Sequence, residues 1–135
     1  MSGGLCEPEG RSLTSKLSLE AVAREQQERA AVESSGRSAR TVFGGHEHVL
    51  RQTVIALAAG TDLAEHENPG EATLLVLHGR VRISTAEAAW EGRRGDFLIV
   101  PDTRHALHAL EDATVLLTVA KRGVVASKGT SSAPS

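Results

Sequence analysis

Side chains that can bind a metal or a polar ligand crowd into one stretch, GTDLAEHENPGEATLLVLHG, from Gly60 to Gly79. The imidazole of His66 and the amide of Asn68 lie there with carboxylates, around an Asn-Pro-Gly turn. Imidazole and carboxylate groups are the usual protein ligands of zinc and of the first-row transition metals. A Thr, Leu, Leu, Val, Leu run follows and stops at Gly79, which is typical of a buried strand. The polar groups are therefore expected at the mouth of that strand.

Short β-rich segments fill most of the chain after residue 45, and each is bounded by Gly, Pro, Asp or Asn. Their sequences are HVLRQTVIALAAG, TLLVLHGRVRI, AAWEG, DFLIV, HALHAL and TVLLTVA. Six or more short strands at this spacing predict an all-β sandwich or barrel. Gly79 interrupts a strong strand, which predicts a bulge or a barrel corner there. No gap is long enough for the crossover helix that a parallel strand pair needs.

One amphipathic helix is predicted ahead of the strands, from Leu19 to about Ser34. Ser18 is a suitable N-cap, Glu20 supplies negative charge in the first turn, and Gly36 follows the last periodic residues. The apolar stripe of this helix is narrow and rich in alanine, and we expect it to pack against a sheet or a partner subunit. The chain is thus divided into a disordered tail (1–17), a helix (18–35), a barrel (40–122) and a second disordered tail (123–135).

Composition excludes several classes of function. The 135 residues suit one domain, 40% of them are apolar, and only Phe43, Phe97 and Trp90 are aromatic. A net charge of −2 provides no basic face for nucleic acid. No apolar run approaches the roughly 20 residues of a membrane span. The single cysteine, Cys6, fits a reducing compartment, and we expect a cytoplasmic protein.

The Gly60–Gly79 stretch resembles the first motif of the cupin superfamily of small double-stranded β-helix barrels. That motif reads Gly, five residues, His, one residue, His, three or four residues, Glu, six residues, Gly. Here Gly60 and His66 keep their places, Asn68 stands at the second His and Ala72 at the Glu, and Gly79 closes the motif. The spacing is kept, but two of the three ligand identities are not.

The second cupin motif is matched less completely. It reads Gly, five residues, Pro, one residue, Gly, two residues, His, three residues, Asn. Gly95 and Pro101 fit, Thr103 replaces the next Gly, and His105 arrives one position early. The Asn position falls on Ala109 or Leu110, depending on whether it is counted from His105 or from Pro101. The resemblance implies a jelly-roll barrel of the RmlC-like, cupin-2 type, preceded here by one N-terminal α-helix.

At the positions that cupins use for a metal, this chain supplies His66 and His105. Two imidazoles alone bind a metal weakly, so no cofactor is expected unless other ligands help. His48, on an entering strand, and Glu71, the neighbour of the replaced Glu, are the candidates for that help. A one-residue shift points Glu71 to the opposite face of its strand. An exposed strand start is the more ordinary interpretation of His48. His78 and His108 are expected at the surface.

Two functions from different classes remain open. The first is a non-catalytic barrel that binds a small metabolite, with His66, Asn68 and His105 as polar groups in an apolar pocket. Trp90 is a candidate wall of that pocket, although an anchor in the core or in an interface is the plainer role. The second is a metal-dependent enzyme of the dioxygenase or isomerase kind, built on His66 and His105.

A homodimer is also expected, because several strands are apolar on both faces. A purely structural dimeric module with an unknown partner would fit the same pattern. Fold alone does not choose between these functions.

Overall fold

The structure, a computed structural model, describes residues 15–66 and 70–121, except for the side chains of residues 64–66. Most of the predicted first tail, all of the second tail and the candidate pocket residue Asn68 lie outside the described residues. The boundaries predicted for the two tails therefore stay predictions.

The predicted helix is α1, Leu19–Val32, and it ends two residues before the predicted Ser34. Ser18 is its N-cap, and the Ser18 hydroxyl accepts a hydrogen bond of 3.1 Å from the backbone N–H of Ala21. The stripe that faces the sheet consists of Val22, Ala23, Gln26 and Ala30. Among the described residues, no helix is long and apolar enough to cross a membrane.

Nine strands follow the helix in chain order. They are β1 (Arg37–Gly44), β2 (Leu50–Leu57), β3 (Asp62–His66), β4 (Gly70–His78), β5 (Arg80–Ser84), β6 (Ala89–Arg93), β7 (Phe97–Ile99), β8 (His105–Ala109) and β9 (Ala113–Lys121). The first strand begins three residues before the predicted start of the barrel at residue 40. Strand β7 ends before Pro101, as expected for a residue that cannot donate to a strand ladder.

The strands form two antiparallel sheets, which confirms the predicted all-β fold with one N-terminal helix. The five-stranded sheet has the order β1-β2-β9-β4-β7, and the four-stranded sheet has the order β3-β8-β5-β6. Helix α1 packs on β1, β2 and β9. It covers part of the outer face of the five-stranded sheet, where Val54, Ala56 and Thr114 are fully buried.

Gly79 is the corner at which the chain leaves one sheet for the other. The preceding strand, β4, belongs to the five-stranded sheet, and the following strand, β5, belongs to the four-stranded sheet. Gly79 has φ +77°, and a Cβ atom there would lie 2.0 Å from the carbonyl oxygen of Asp112. The corner thus requires both the left-handed backbone and the missing side chain.

The core lies between the two sheets. Strand β4 contributes Ala72, Leu74 and Val76, the three positions predicted to share an inward face. Facing residues from both sheets complete it: Ile55, Leu57, Val81, Ile83, Val100, Leu107, Ala109, Ala113, Val115 and Val119. Because the core has no aromatic residue, branched aliphatic side chains fill the barrel.

Candidate functional site

His105 is a polar side chain buried inside the apolar barrel. It is the first residue of β8 and only 6% exposed. Its Nδ1 lies 2.8 Å from the carbonyl oxygen of Thr103. A carbonyl can only accept, so Nδ1 carries a proton and donates it. The short turn after Pro101 therefore fixes the orientation of the ring.

The cavity beside His105 has a volume of about 30 Å³. Apart from His105, its lining is aliphatic: Ile55, Leu63, Leu74, Ile83, Val100, Leu107 and Leu117. A space of this size holds little more than a water molecule. Small-molecule pockets are about ten times larger or more. The apolar interior predicted from β4 is present, but the side chains of the barrel fill it almost completely.

The strand register brings His66 and His105 together. His66 ends β3, and its Cα is the cross-strand partner of the Cα of His105 on β8. Residues directly opposite each other on neighbouring antiparallel strands are the closest pairs that a sheet offers. The spacing of the two sequence motifs thus corresponds to adjacent backbone positions in the fold. The role of the His66 side chain stays a prediction.

Trp90 lines an open cleft between the free edges of the two sheets. It is the cross-strand partner of the core residue Ile83, and it is 47% exposed. The cleft has a volume of about 340 Å³ and is lined by Ile83, Trp90, Phe97, Leu98 and Ile99. Ile83 also lines the cavity beside His105, so the cleft and the cavity share this residue. The exposure of Trp90 argues against a role as a core anchor, and its role as a pocket wall stays a prediction.

The two additional metal ligands considered from the sequence lie away from His105. Glu71 is exposed and alternates with the inward Ala72, so it projects from the outer face of β4. His48 lies in the loop between β1 and β2, with its ring centroid 5.3 Å from that of Phe43, a side chain that is 49% exposed. Among the described side chains, which do not include those of residues 64–69, no three metal-binding groups come together.

A tight transition-metal site needs three or four nitrogen, oxygen or sulfur ligands. The described side chains around the cavity supply one, His105, among aliphatic neighbours. They do not fit a metal without ligands from residues 64–69.

The outer face of the four-stranded sheet is polar. His108, which alternates with the inward Leu107, bonds through Nδ1 to Asp62 on the neighbouring strand. Arg82 forms an ion pair of 3.2 Å with Glu91 on the same sheet. This matches the surface position predicted for His108. Successive residues of the same strand thus alternate between this polar outer face and the aliphatic interior.

Sequence reasoning did not identify the cleft walls on β7. Phe97, Leu98 and Ile99 read as the middle of an ordinary buried strand, DFLIV. The sequence did carry a signal, because the segment between Gly95 and Pro101 is short and ends at a proline, and short strands next to proline are typical of sheet edges.

Several known structures have a fold similar to that of this chain. A conserved protein of unknown function from Streptococcus pyogenes is 28% identical, with a TM-score of 0.60 over 67% of this chain and 78% of that one. A cupin superfamily protein from Desulfitobacterium hafniense is 18% identical, with a TM-score of 0.58 over 64% and 78%. No protein-family model and no curated protein matches the sequence.

Enzymes also occur among the similar structures. A variant of salicylate 1,2-dioxygenase from Pseudoaminobacter salicylatoxidans is 19% identical, with a TM-score of 0.65 over 77% of this chain. The match covers 34% of that longer chain.

Two antiparallel sheets that enclose an aliphatic core define a small jelly-roll barrel. This chain has the cupin fold, as its spaced motifs predicted. Proteins with this fold include enzymes and proteins of unknown function, so the fold leaves binding and catalysis both open.

Proposed function

We propose that this protein binds a small, partly apolar molecule without transforming it, and that His105 accepts a hydrogen bond from that molecule. The observation that supports this most directly is the buried imidazole of His105. A buried polar group is unfavourable unless it is hydrogen-bonded, and aliphatic residues would fill the same space without that requirement. A ring oriented by Thr103 beside an aliphatic cavity suits recognition of an O–H or N–H group, because a neutral imidazole that keeps its proton on Nδ1 accepts through Nε2.

The cleft at Trp90 provides the approach to His105. Its volume of about 340 Å³ lies in the range of small-molecule pockets, about 300–1,000 Å³. The apolar part of the ligand packs against Trp90 and Leu98, and its donor group points toward His105. Because Ile83 lines both the cleft and the cavity, we expect its side chain to change rotamer when a ligand in the cleft reaches His105.

Phenol and toluene form a matched pair of probes, because they share a ring and differ in a hydrogen-bond donor. Trp90 is the only tryptophan, so its fluorescence reports on the cleft alone. We expect phenol to bind up to about tenfold more tightly than toluene, the effect of one net hydrogen bond. Amide chemical shifts of β6 and β7 provide a second readout.

The control variant is His105→Leu. Leucine fills the space with apolar atoms, and the exposed Thr103 carbonyl can bond to water, so folding stability should be kept. The variant should bind phenol and toluene equally. An undiminished preference for phenol would contradict the proposal, as would a variant that unfolds, since His105 would then be a structural residue.

A metal-dependent enzyme of the dioxygenase or isomerase kind is the second candidate. Two observations favour it: His66 and His105 are cross-strand partners, and Nδ1 of His105 donates to a carbonyl. Metal-binding histidines are commonly held by such a bond. His66, His105 and a ligand from outside the described residues would hold the metal.

Elemental analysis separates the two candidates. The binding-protein proposal predicts less than one equivalent of transition metal in the purified protein. One full equivalent that is lost in a His66→Ala variant would establish the metal-dependent alternative instead. A cytoplasmic location, expected from the lone Cys6, stays a prediction.

A further inference from the structure

Strand β7 is a sheet edge without the charged residues that protect the other sheet edges. The two sheets end in four edge strands, β1 and β7 in one sheet and β3 and β6 in the other. Each of β1, β3 and β6 contains Arg, Asp or Glu, and β1 and β3 also contain register shifts. Charged side chains and irregular pairing are usual means of keeping an edge from pairing with another chain. Strand β7, with the sequence Phe-Leu-Ile, has neither.

Strand β7 bonds to β4 through every second residue, so half of its backbone groups face away from the sheet. The carbonyl of Asp96 accepts a hydrogen bond of 2.9 Å from β4, and the N–H of Val100 donates one of 3.0 Å to it. Leu98 lies between these two residues and has the same orientation. The N–H and C=O groups of Phe97 and Ile99 therefore point away from β4, and among the described strands only β4 pairs with β7. They are placed to bond to an added strand.

The side chains of β7 present apolar surface on both faces of this edge. Phe97 and Ile99 lie on the outer face and are 63% and 77% exposed. Leu98 points to the opposite face, where it lines the cleft of about 340 Å³ together with Trp90. Successive side chains of an added strand would alternate between the two faces. Three successive apolar residues would therefore cover both faces of the edge.

Opposite charges lie beyond the two ends of β7. Arg93 and Arg94 are exposed in the turn that precedes the strand. Beyond the other end, Glu71 is exposed on the outer face of β4, and Asp102 lines the same depression as Glu71. A segment that runs antiparallel to β7 begins at the acidic end and finishes at the basic end. Complementary charge thus requires a basic residue before the apolar residues and an acidic residue after them.

We propose that the free edge of β7 binds an extended segment of another protein, which adds to the five-stranded sheet as a further strand. The segment runs antiparallel to β7 and contains a basic residue, three apolar residues and an acidic residue, in that order. In such strand addition, backbone hydrogen bonds provide affinity and alternate side chains provide specificity. Only Phe97 and Ile99 supply backbone groups, so an isolated peptide should bind in roughly the millimolar range.

The probe is the synthetic peptide Lys-Thr-Val-Leu-Val-Thr-Glu, acetylated and amidated so that its ends carry no charge. Its two valines lie opposite Phe97 and Ile99, and its leucine points into the cleft. We expect a titration to about 5 mM to shift the amide resonances of β7 and to change the fluorescence of Trp90. The amide resonances of the opposite edge strand, β1, should not move.

Two N-methylated forms of the peptide test the backbone pairing. Methyl groups on the two valines replace the N–H groups that face β7, whereas a methyl group on the leucine replaces one that faces away. We expect the first form to bind at least about tenfold more weakly than the parent peptide, because hydrogen bonds are lost. The second form should bind about as well as the parent peptide.

A peptide with its Lys and Glu exchanged tests the orientation. We expect it to bind about threefold more weakly than the parent, the size of effect that exposed charges produce. A Glu71→Gln variant should reduce this preference. Glu28→Gln is the matched control, because Glu28 is equally exposed but lies on α1.

The proposal is wrong if the β7 amides do not shift, if the two methylated peptides bind equally well, or if exchanging the charges has no effect. Shifts of the same amides on dilution of the protein alone would assign the edge to a second copy of the chain. Tighter peptide binding after deletion of residues 122–135 would assign it to the C-terminal segment of the chain itself. Either result also overturns the proposal. The phenol experiment contains no peptide and therefore tests His105 separately.

Discussion

Gly79 and Gly60 have similar backbones in different surroundings. Their φ angles are +77° and +86°, but an added Cβ would lie 2.0 Å from the Asp112 carbonyl oxygen at Gly79 and in open space at Gly60. We expect Gly60→Ala to lower the free energy of unfolding by about 1 kcal/mol, through the backbone alone. Gly79→Ala should lower it by about 3 kcal/mol or more, because the chain must also shift.

Urea unfolding of the two alanine variants measures this difference. Equal losses would mean that the sheet corner can move away from Asp112 without strain.

The sequence predicted correctly the positions of residues that the backbone conformation requires, such as glycines at turns. Gly60, Gly79 and Gly95 all have positive φ. The sequence places Gly60 and Gly95 where strands turn, because a residue without Cβ fits there, and Gly79 at a bulge or a barrel corner. His105 was predicted in the barrel and is buried there. The nearly closed space around it was not predictable, because its volume depends on how Leu63 and Leu117 from two different sheets pack.

At the scale of elements, the buried stripe of α1 packs the helix against the five-stranded sheet. Ala30 is 2% exposed and faces the sheet, whereas its neighbour Ala31 is exposed. We expect Ala30→Glu to destabilise the fold by at least about 2 kcal/mol, since a carboxylate would be buried without a partner. Ala31→Glu should change stability by no more than about 0.5 kcal/mol.

Thermal or urea unfolding of the two glutamate variants provides the measurement. If both variants matched the parent protein, α1 would contribute no packing energy to the barrel.

Strand β1 shows where element prediction fails. No strand was predicted over Arg37–Gly44, although residues 40–44 lie within the predicted barrel. In the structure it pairs along β2, and a register shift between Thr41 and Phe43 interrupts the pairing. Most of its residues are exposed, so no buried alternation marks it in the sequence. Pairing with β2, rather than burial, holds this edge strand in place.

At the scale of the whole molecule, the outer faces of the two sheets differ in polarity. The four-stranded sheet is charged on its outer face, with the Arg82–Glu91 and His108–Asp62 pairs. The five-stranded sheet carries α1 on one part of its outer face, and Phe97 and Ile99 are exposed on β7 at its edge. The sequence predicted that strands apolar on both sides would be covered by the helix or by a second subunit. It could not predict how much of the face the helix covers, because that depends on where α1 crosses the sheet.

Strand β7 is three residues long, and in the described fold it pairs only with β4. Phe97 and Ile99 line both the cleft at Trp90 and a second depression, which Thr73 and Thr118 of the five-stranded sheet also line. A molecule held in the cleft would therefore act on a segment that both spaces share. By thermodynamic linkage, any factor by which an occupant of the second depression changed affinity in the cleft would also be the factor by which the cleft ligand changed affinity in the depression. A strand of three residues would then couple two binding sites.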